Sequence, residues 1–133
     1  MARDQTLVLV ADDDPAIAGL IRELLADEGY DTVCCHSGTA ALNAIDTEQP
    51  DLIIVDLQME QRDSGLRVAA ALRGHPGLRH VPVILCSAAV PLLADLGPTL
   101  RQLGCVAMPK PFDVMNLLAT VEVLLGRIQM PPG

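Results

Sequence analysis

Five short apolar runs recur along this chain of 133 residues, each followed by a segment of helical periodicity. That alternation constrains the fold more than any other feature, because neighbouring parallel strands need a crossover connection and a helix is its usual form. The runs are Thr6 to Ala11, Asp31 to Cys35, Leu52 to Val55, Val81 to Cys86 and Cys105 to Met108. The first is continuously apolar, as suits a strand buried on both faces, whereas the second is more polar, as suits an edge. After the first run, Asp14 and Pro15 supply an N-cap and a first-turn proline. Ile17, Leu20, Ile21, Leu24 and Leu25 then recur at helical spacing until Gly29 stops the helix. Further helices are expected from about Gly38 to Ile45, from about Leu66 to Arg73 and from Leu92 to Leu103, the last kinked or split at Gly97-Pro98. Asp113 caps a final helix with a wide apolar face built from Val114, Leu117, Leu118, Val121, Leu124 and Leu125.

Five strands and five helices in this order predict an α/β fold: a flavodoxin-like, doubly wound, five-stranded parallel sheet of order 2-1-3-4-5 with helices on both faces. Residues 1–128 read as one domain and Gln129 to Gly133 as a C-terminal tail, with no linker, internal repeat or low-complexity tract between them. A hydrophobic content of 50% is ample for one closed core.

Charge and hydropathy exclude several functions. A net charge of −8 leaves no clustered Lys and Arg to displace counterions, so direct nucleic-acid binding is not expected. The longest apolar stretch, Val81 to Ala94, is interrupted by Ser87 and two prolines and falls short of the about 20 residues of a membrane span. Strand character begins at Thr6, leaving no room for a signal peptide, so the expected location is the cytoplasm without membrane insertion. Cys34 and Cys35 adjoin His36, but neighbours on a strand point to opposite faces and cannot easily share one metal. With Cys86 and Cys105 they read as small core residues in a reducing compartment, and His75 and His80 as surface residues.

In sheets of this type, ligands bind beyond the carboxyl ends of the strands, at the point where strand order reverses. The first strand runs into Asp12-Asp13-Asp14, the third into Asp56, the fourth into Ser87 and the fifth into Lys110. Asp14 is accounted for as a helix cap. Carboxylates converging without counter-charge repel, so they must take up a proton or recruit a cation. An all-oxygen, strongly negative set favours a hard divalent ion, and Mg²⁺ typically leaves room for waters and a phosphate oxygen. Lys110 adds a point charge able to reach a phosphoryl oxygen, and the Ser87 hydroxyl can donate to another.

The segments LVLVADDDP, PDLIIVDLQM, VPVILCSA and MPKPF, in this order, resemble the sequence blocks of response-regulator receiver domains of two-component signal transduction, chemotaxis regulators among them. The resemblance spans Thr6 to about Arg127. It implies that Asp56 is the phosphoacceptor, that Asp12 and Asp13 are the acidic pair, and that Ser87 and Lys110 are the hydroxyl and lysine of the site. It further implies Mg²⁺ held by Asp13, Asp56 and the backbone carbonyl of Gln58, with Asp12 acting largely through water, and a cis peptide bond between Lys110 and Pro111.

The implied function is that of a phosphoacceptor signalling domain rather than an enzyme, with Mg²⁺-dependent self-phosphorylation from small donors and slow hydrolysis. A histidine kinase or histidine phosphotransfer protein is the implied donor. Output passes to an unknown downstream protein, and the apolar last helix could support a homodimer. Two alternatives are weaker. A pseudo-receiver used only for interaction sits poorly with a complete acidic pocket. An aspartyl-nucleophile phosphatase would need a second acid where Gln58 stands.

The chain departs from the family pattern at three places. Ala107 replaces the aromatic usual three positions before the lysine, so no ring can rotate behind the hydroxyl residue. Gly97-Pro98 breaks the fourth helix. The loop LQMEQRDSG lacks the usual proline four positions after Asp56 and is one residue longer before its glycine.

Overall fold

The computed structural model describes residues 5–126. Strands β1 (Leu7–Ala11), β2 (Asp31–Cys35), β3 (Leu52–Asp56), β4 (Val83–Ser87) and β5 (Cys105–Pro109) form one sheet. The helices among the described residues are α1 (Pro15–Asp27), α2 (Gly38–Glu48), α3 (Ser64–Gly74), α4 (Val90–Asp95), α5 (Gly97–Gln102) and α6 (Val114–Leu124). The strand order is 2-1-3-4-5 and every pairing is parallel, as the doubly wound arrangement requires. The tail expected from Gln129 to Gly133, and the end of the domain placed at residue 128, lie outside the described residues.

Successive residues of the central strands feed opposite faces. Val8, Val10 and Ile54 pack with Leu25 of α1 and Leu117 of α6 on one side of the sheet. Leu9, Ile53 and Val55 pack with Ile45 of α2 and Val68 and Leu72 of α3 on the other. A smaller cluster of Leu57, Leu85, Leu93 and Leu100 lies beneath α4 and α5. Each fully buried leucine or isoleucine stabilises the fold by about 1.5–3 kcal/mol, and it is this double layer that supports a concentration of charge at the strand ends. Cys34 and Cys35 divide between the two sides as the strand period dictates, Cys34 against the α1–α6 cluster and Cys35 within the α2–α3 cluster.

Several boundaries differ from those the sequence predicts, each for a local reason. The fourth helix is two helices of six residues that meet at Leu96, because Pro98 can offer no backbone N–H to continue the first. Six helices therefore stand where five were expected. Helix α2 runs to Glu48 rather than Ile45 and ends on Gln49 at φ 48°, a left-handed stop made without glycine. Strand β4 starts at Val83 rather than Val81, since the Val81 amide is spent on a turn to Leu78 O and Pro82 has none to give. Helix α3 begins at Ser64, ahead of Leu66.

That early start brings α3 hard against the end of β3. A Cβ at Gly65 would lie 2.7 Å from the Asp56 carbonyl oxygen and 2.9 Å from Leu57 Cα, both backbone atoms that cannot swing aside. Gly19 in α1 has nothing within 4 Å of the same point. Urea unfolding should therefore show Gly65→Ala destabilised by about 1–3 kcal/mol, as for overpacked sites. Gly19→Ala should be stabilised by about 0.5–1 kcal/mol, as for a glycine replaced inside a helix.

Candidate functional site

Strand β1 ends where Asp12 still donates its amide to Cys35 O (3.0 Å), so the sheet ladder fixes the Asp12 backbone. Asp14 caps α1 as expected, accepting from Ala16 N at 3.0 Å, and its own amide donates to Asp12 Oδ1 at 2.9 Å. Asp13, between them, is exposed. Asp56 is the last residue of β3 and Ser87 the last of β4. Lys110 follows β5 directly, its amide donating to Ser87 O at 2.9 Å, and the Lys110-Pro111 peptide is cis.

These ends converge. Asp12, Asp13 and Asp56 each present a carboxylate oxygen within 4.8 Å of the others. Lys110 Nζ lies 2.6 Å from Asp12 Oδ2 and 3.3 Å from Asp56 Oδ2. The side chains of Asp12 and Asp56 are only 5% and 13% exposed, so water screens this group poorly. Three carboxylates thus face one ammonium, leaving the pocket with two negative charges beyond what Lys110 offsets.

The electrostatics follow. Burial pushes the Asp56 carboxyl above the usual aspartate range; the Lys110 ammonium works against this, and the charges of Asp12 and Asp13 add to it. Burial also opposes the charge on Lys110, but its hydrogen bond to Asp12 and the charges of Asp56 and Asp12 outweigh it and hold the pKa above that of an ordinary lysine. An all-oxygen donor set, excess negative charge and a nearby exposed carboxylate fit a hard divalent cation. Ser87 is buried, and its Oγ accepts from Ala89 N at 3.0 Å while its proton remains available for donation. Ala107 is exposed and offers only a methyl group. Gln58 is half-buried in the loop that follows Asp56.

Two neighbours of the pocket carry no mark of that place in the sequence, although His36 stands out there beside Cys34 and Cys35. His36, at the end of β2, places Nδ1 3.2 Å from the Asp12 carbonyl oxygen, so its ring borders the pocket. Glu60 lies four positions beyond Asp56. Its Oε1 accepts from Gly38 N (2.7 Å) and Ser64 Oγ (3.1 Å), and its Oε2 accepts from Thr39 N (3.0 Å). The N–H groups of Thr39 and Gly38 hold the Glu60 carboxyl far below the usual range, at about 2. The available signal was indirect: the N-cap Ser37 satisfies Ala40 N, and no acid stands in the first turn of α2 to meet the remaining donors.

The histidines and cysteines set apart from the site behave as structural residues. His75 is not a bare surface residue, since its Nε2 lies 2.9 Å from Asp46 Oδ1 and so links α3 to α2; His80 is exposed. All four cysteines are free thiols, and burial pushes Cys86 up to about 12, which leaves it inert as a nucleophile.

The family model for the response regulator receiver domain matches residues 8–122. The chain belongs to that family. The receiver is 36% identical over 122 residues to the polar-differentiation response regulator DivK of Brucella ovis, covering 90% of this chain and 95% of that one. Among solved structures, the receiver domain of the Francisella response regulator 1452 superimposes with a TM-score of 0.78 at 31% identity, covering 92% of this chain and 98% of that chain. A putative response regulator from Chloroflexus aurantiacus gives 0.81 at 26% identity, covering 93% and 100%. As a phosphorelay receiver, the domain acts in signalling opposite histidine kinases or phosphotransfer proteins. Among the described residues, no helix is long and apolar enough to cross a membrane.

The two perturbed carboxylates act on stability with opposite signs. Because the folded state raises the Asp56 pKa, folding binds a proton there, and stability falls as pH rises from the unfolded value near 3.8 through the folded one. Thermal melts at neutral pH without metal should show Asp56→Asn above wild type, and Mg²⁺ should raise wild type more than the variant. Glu60 is lowered from 4.5 to about 2, so its contribution is complete above about 4.5 and is lost as pH falls toward 2. Acid unfolding of Glu60→Gln should be correspondingly less steep across that window.

Proposed function

We propose that this receiver accepts a phosphoryl group on Asp56 in a Mg²⁺-dependent transfer from a phosphohistidine, and signals through altered protein contacts. The observation that carries this is the trio of carboxylates with only one ammonium between them. Such a pocket is suited to a cation and an incoming phosphoryl group that share the charge.

In the transfer, an Asp56 carboxylate oxygen forms a bond to phosphorus as the phosphorus–nitrogen bond of the donor breaks. The imidazole leaves with the electron pair and takes a proton from solvent, and an acyl phosphate remains on Asp56. Asp13, Asp56 and the Gln58 carbonyl would hold Mg²⁺, with Asp12 acting through water; the ion supplies positive charge to a transferring group whose negative charge is spread over its oxygens. Lys110 supplies the second positive charge, and its contact with Asp12 keeps the ammonium aimed at the pocket before the donor arrives. The Ser87 hydroxyl, whose proton is available while Oγ accepts from Ala89 N, donates to a phosphoryl oxygen. Hydrolysis of the acyl phosphate by water resets the domain.

A donor must reach Asp56 past the loop ends. Ile17 and Leu20 of α1, with Ala88, Pro111 and Phe112, line an apolar depression that Lys110 also borders, and this rim suits a protein rather than a small polar donor. Val106, Ala119, Val123 and Leu124 form a second apolar surface between β5 and α6, suited to a downstream protein or a second copy. Four free thiols agree with a cytoplasmic, reducing setting.

Incubation with acetyl phosphate, followed by intact-mass measurement, tests the reading. Wild type should gain a single phosphoryl adduct only with Mg²⁺, and Asp56→Asn none. An adduct on the variant would remove Asp56 from the role, and steady turnover of small phosphate esters would point instead to a phosphatase.

A further inference from the structure

The loop between β3 and α3, residues 57–63, contains neither proline nor glycine, yet it carries Gln58. Without a residue that restricts φ, a surface loop of this kind keeps one conformation only through its contacts. On the sheet side, Leu57 donates to Cys86 O at 2.8 Å and accepts from Gly65 N at 2.9 Å. Met59 donates to Gln61 O at 3.1 Å. At the far side Gln61 donates to Ser64 Oγ at 3.0 Å, Asp63 meets Arg67 and Met59 packs against the α2–α3 cluster, but the tie to α2 is made by Glu60, through two amides of the first turn of α2 and the hydroxyl of Ser64. Charge-assisted bonds to the positive end of a helix are among the stronger contacts a loop can make. The clamp is also tight: a Cβ on Gly38 would lie 3.2 Å from Glu60 Oε1.

We propose that Glu60 is a positioning residue for the cation: its clamp on α2 fixes the loop so that the Gln58 carbonyl is presented to the pocket, and it stands at the position where the family pattern has proline. This rests on the reading that Gln58, Asp13 and Asp56 hold Mg²⁺. The clamp replaces a covalent restriction of the backbone by a carboxylate drawn from the loop itself. It also makes α2 part of the support of the pocket, although none of its side chains reaches the acidic group. A glutamine would not substitute. Both Glu60 oxygens accept, and an amide would set a donor against one of its present donors.

The test uses the whole chain and separates metal binding from chemistry. Mg²⁺ affinity is measured by calorimetry without phosphodonor, on wild type, Glu60→Ala, Glu60→Gln and Thr39→Pro. The last removes one clamp donor from a first-turn position that tolerates proline, leaving the loop sequence intact. Amide exchange at Gly38 and Thr39 and the circular dichroism spectrum report the clamp and the fold.

The expected result is Mg²⁺ affinity weakened roughly tenfold in both Glu60 variants, as for groups that orient a ligand from behind. Thr39→Pro should show a smaller loss. The half-saturating Mg²⁺ for adduct formation from acetyl phosphate should rise by the same factor, and Mg²⁺ should slow exchange at Gly38 and Thr39 in wild type but not at Gly38 in Glu60→Ala. Unchanged Mg²⁺ affinity in folded Glu60→Ala, with exchange at Gly38 accelerated, would overturn the proposal and leave Glu60 a helix cap only. Failure of wild type itself to bind Mg²⁺ would instead reject the cation site on which it rests.

Discussion

Three carboxylates around one ammonium set the terms for the rest of this molecule. Asp12, Asp13 and Asp56 would separate in a pliant structure, because nothing but Lys110 draws them together. What holds them is covalent continuity with two neighbouring parallel strands, β1 and β3, whose side chains are buried on both faces, so that separating the backbones of Asp12 and Asp56 means disturbing the sheet. The core is thus the source of the force that keeps like charges close. The pocket is poised for a ligand because it is uncomfortable without one.

Lys110 shows how that force is directed. Its shorter contact is with Asp12, which spends its other oxygen on Asp14 N, so the lysine is bound to the most fully engaged carboxylate and leans more loosely on Asp56. Asp13, exposed beside them, is the carboxylate left open to an ion from solvent. Within one acidic cluster, hydrogen bonding and burial divide three chemically identical residues into a holder of the lysine, an open carboxylate at the rim and, between them, the carboxylate proposed as the phosphoacceptor.

Much of this was legible in the sequence because it lies at places where local chemistry and fold agree. Apolar runs ending in Asp12, Asp56 and Ser87 mark strand ends, Asp14 and Asp113 have the capping role their positions indicate, and Gly97-Pro98 divides a helix as proline must. The features that were hidden depend on partners distant along the chain. Gln49 takes a left-handed conformation that its residue type does not favour, so the end of α2 carries no mark. The roles of Glu60 and His36 exist only because β1, β2 and β3 lie side by side; Glu60 meets Gly38 across 22 residues and His36 meets Asp12 across 24. Lys110 was legible as a member of the pocket, but its preference for Asp12 at 2.6 Å over Asp56 at 3.3 Å is a difference that no pattern encodes.

The division of the fourth helix has a mechanical meaning. A continuous helix acts as a rod: displacement at one end is delivered to the other. Here the chain that leaves Ser87 enters α4, stops at Leu96 and resumes as α5, and the two pieces are anchored to the core by Leu93 and Leu100 respectively. The break at Leu96 puts a joint one short segment after Ser87, with one leucine of each half in the core. Leu93 and Leu100 enter one apolar cluster with Leu57 and Leu85, so both pieces rest on the same patch of the sheet, while β5 meets Ser87 directly through the Lys110 amide and, at Ala107, adds no ring.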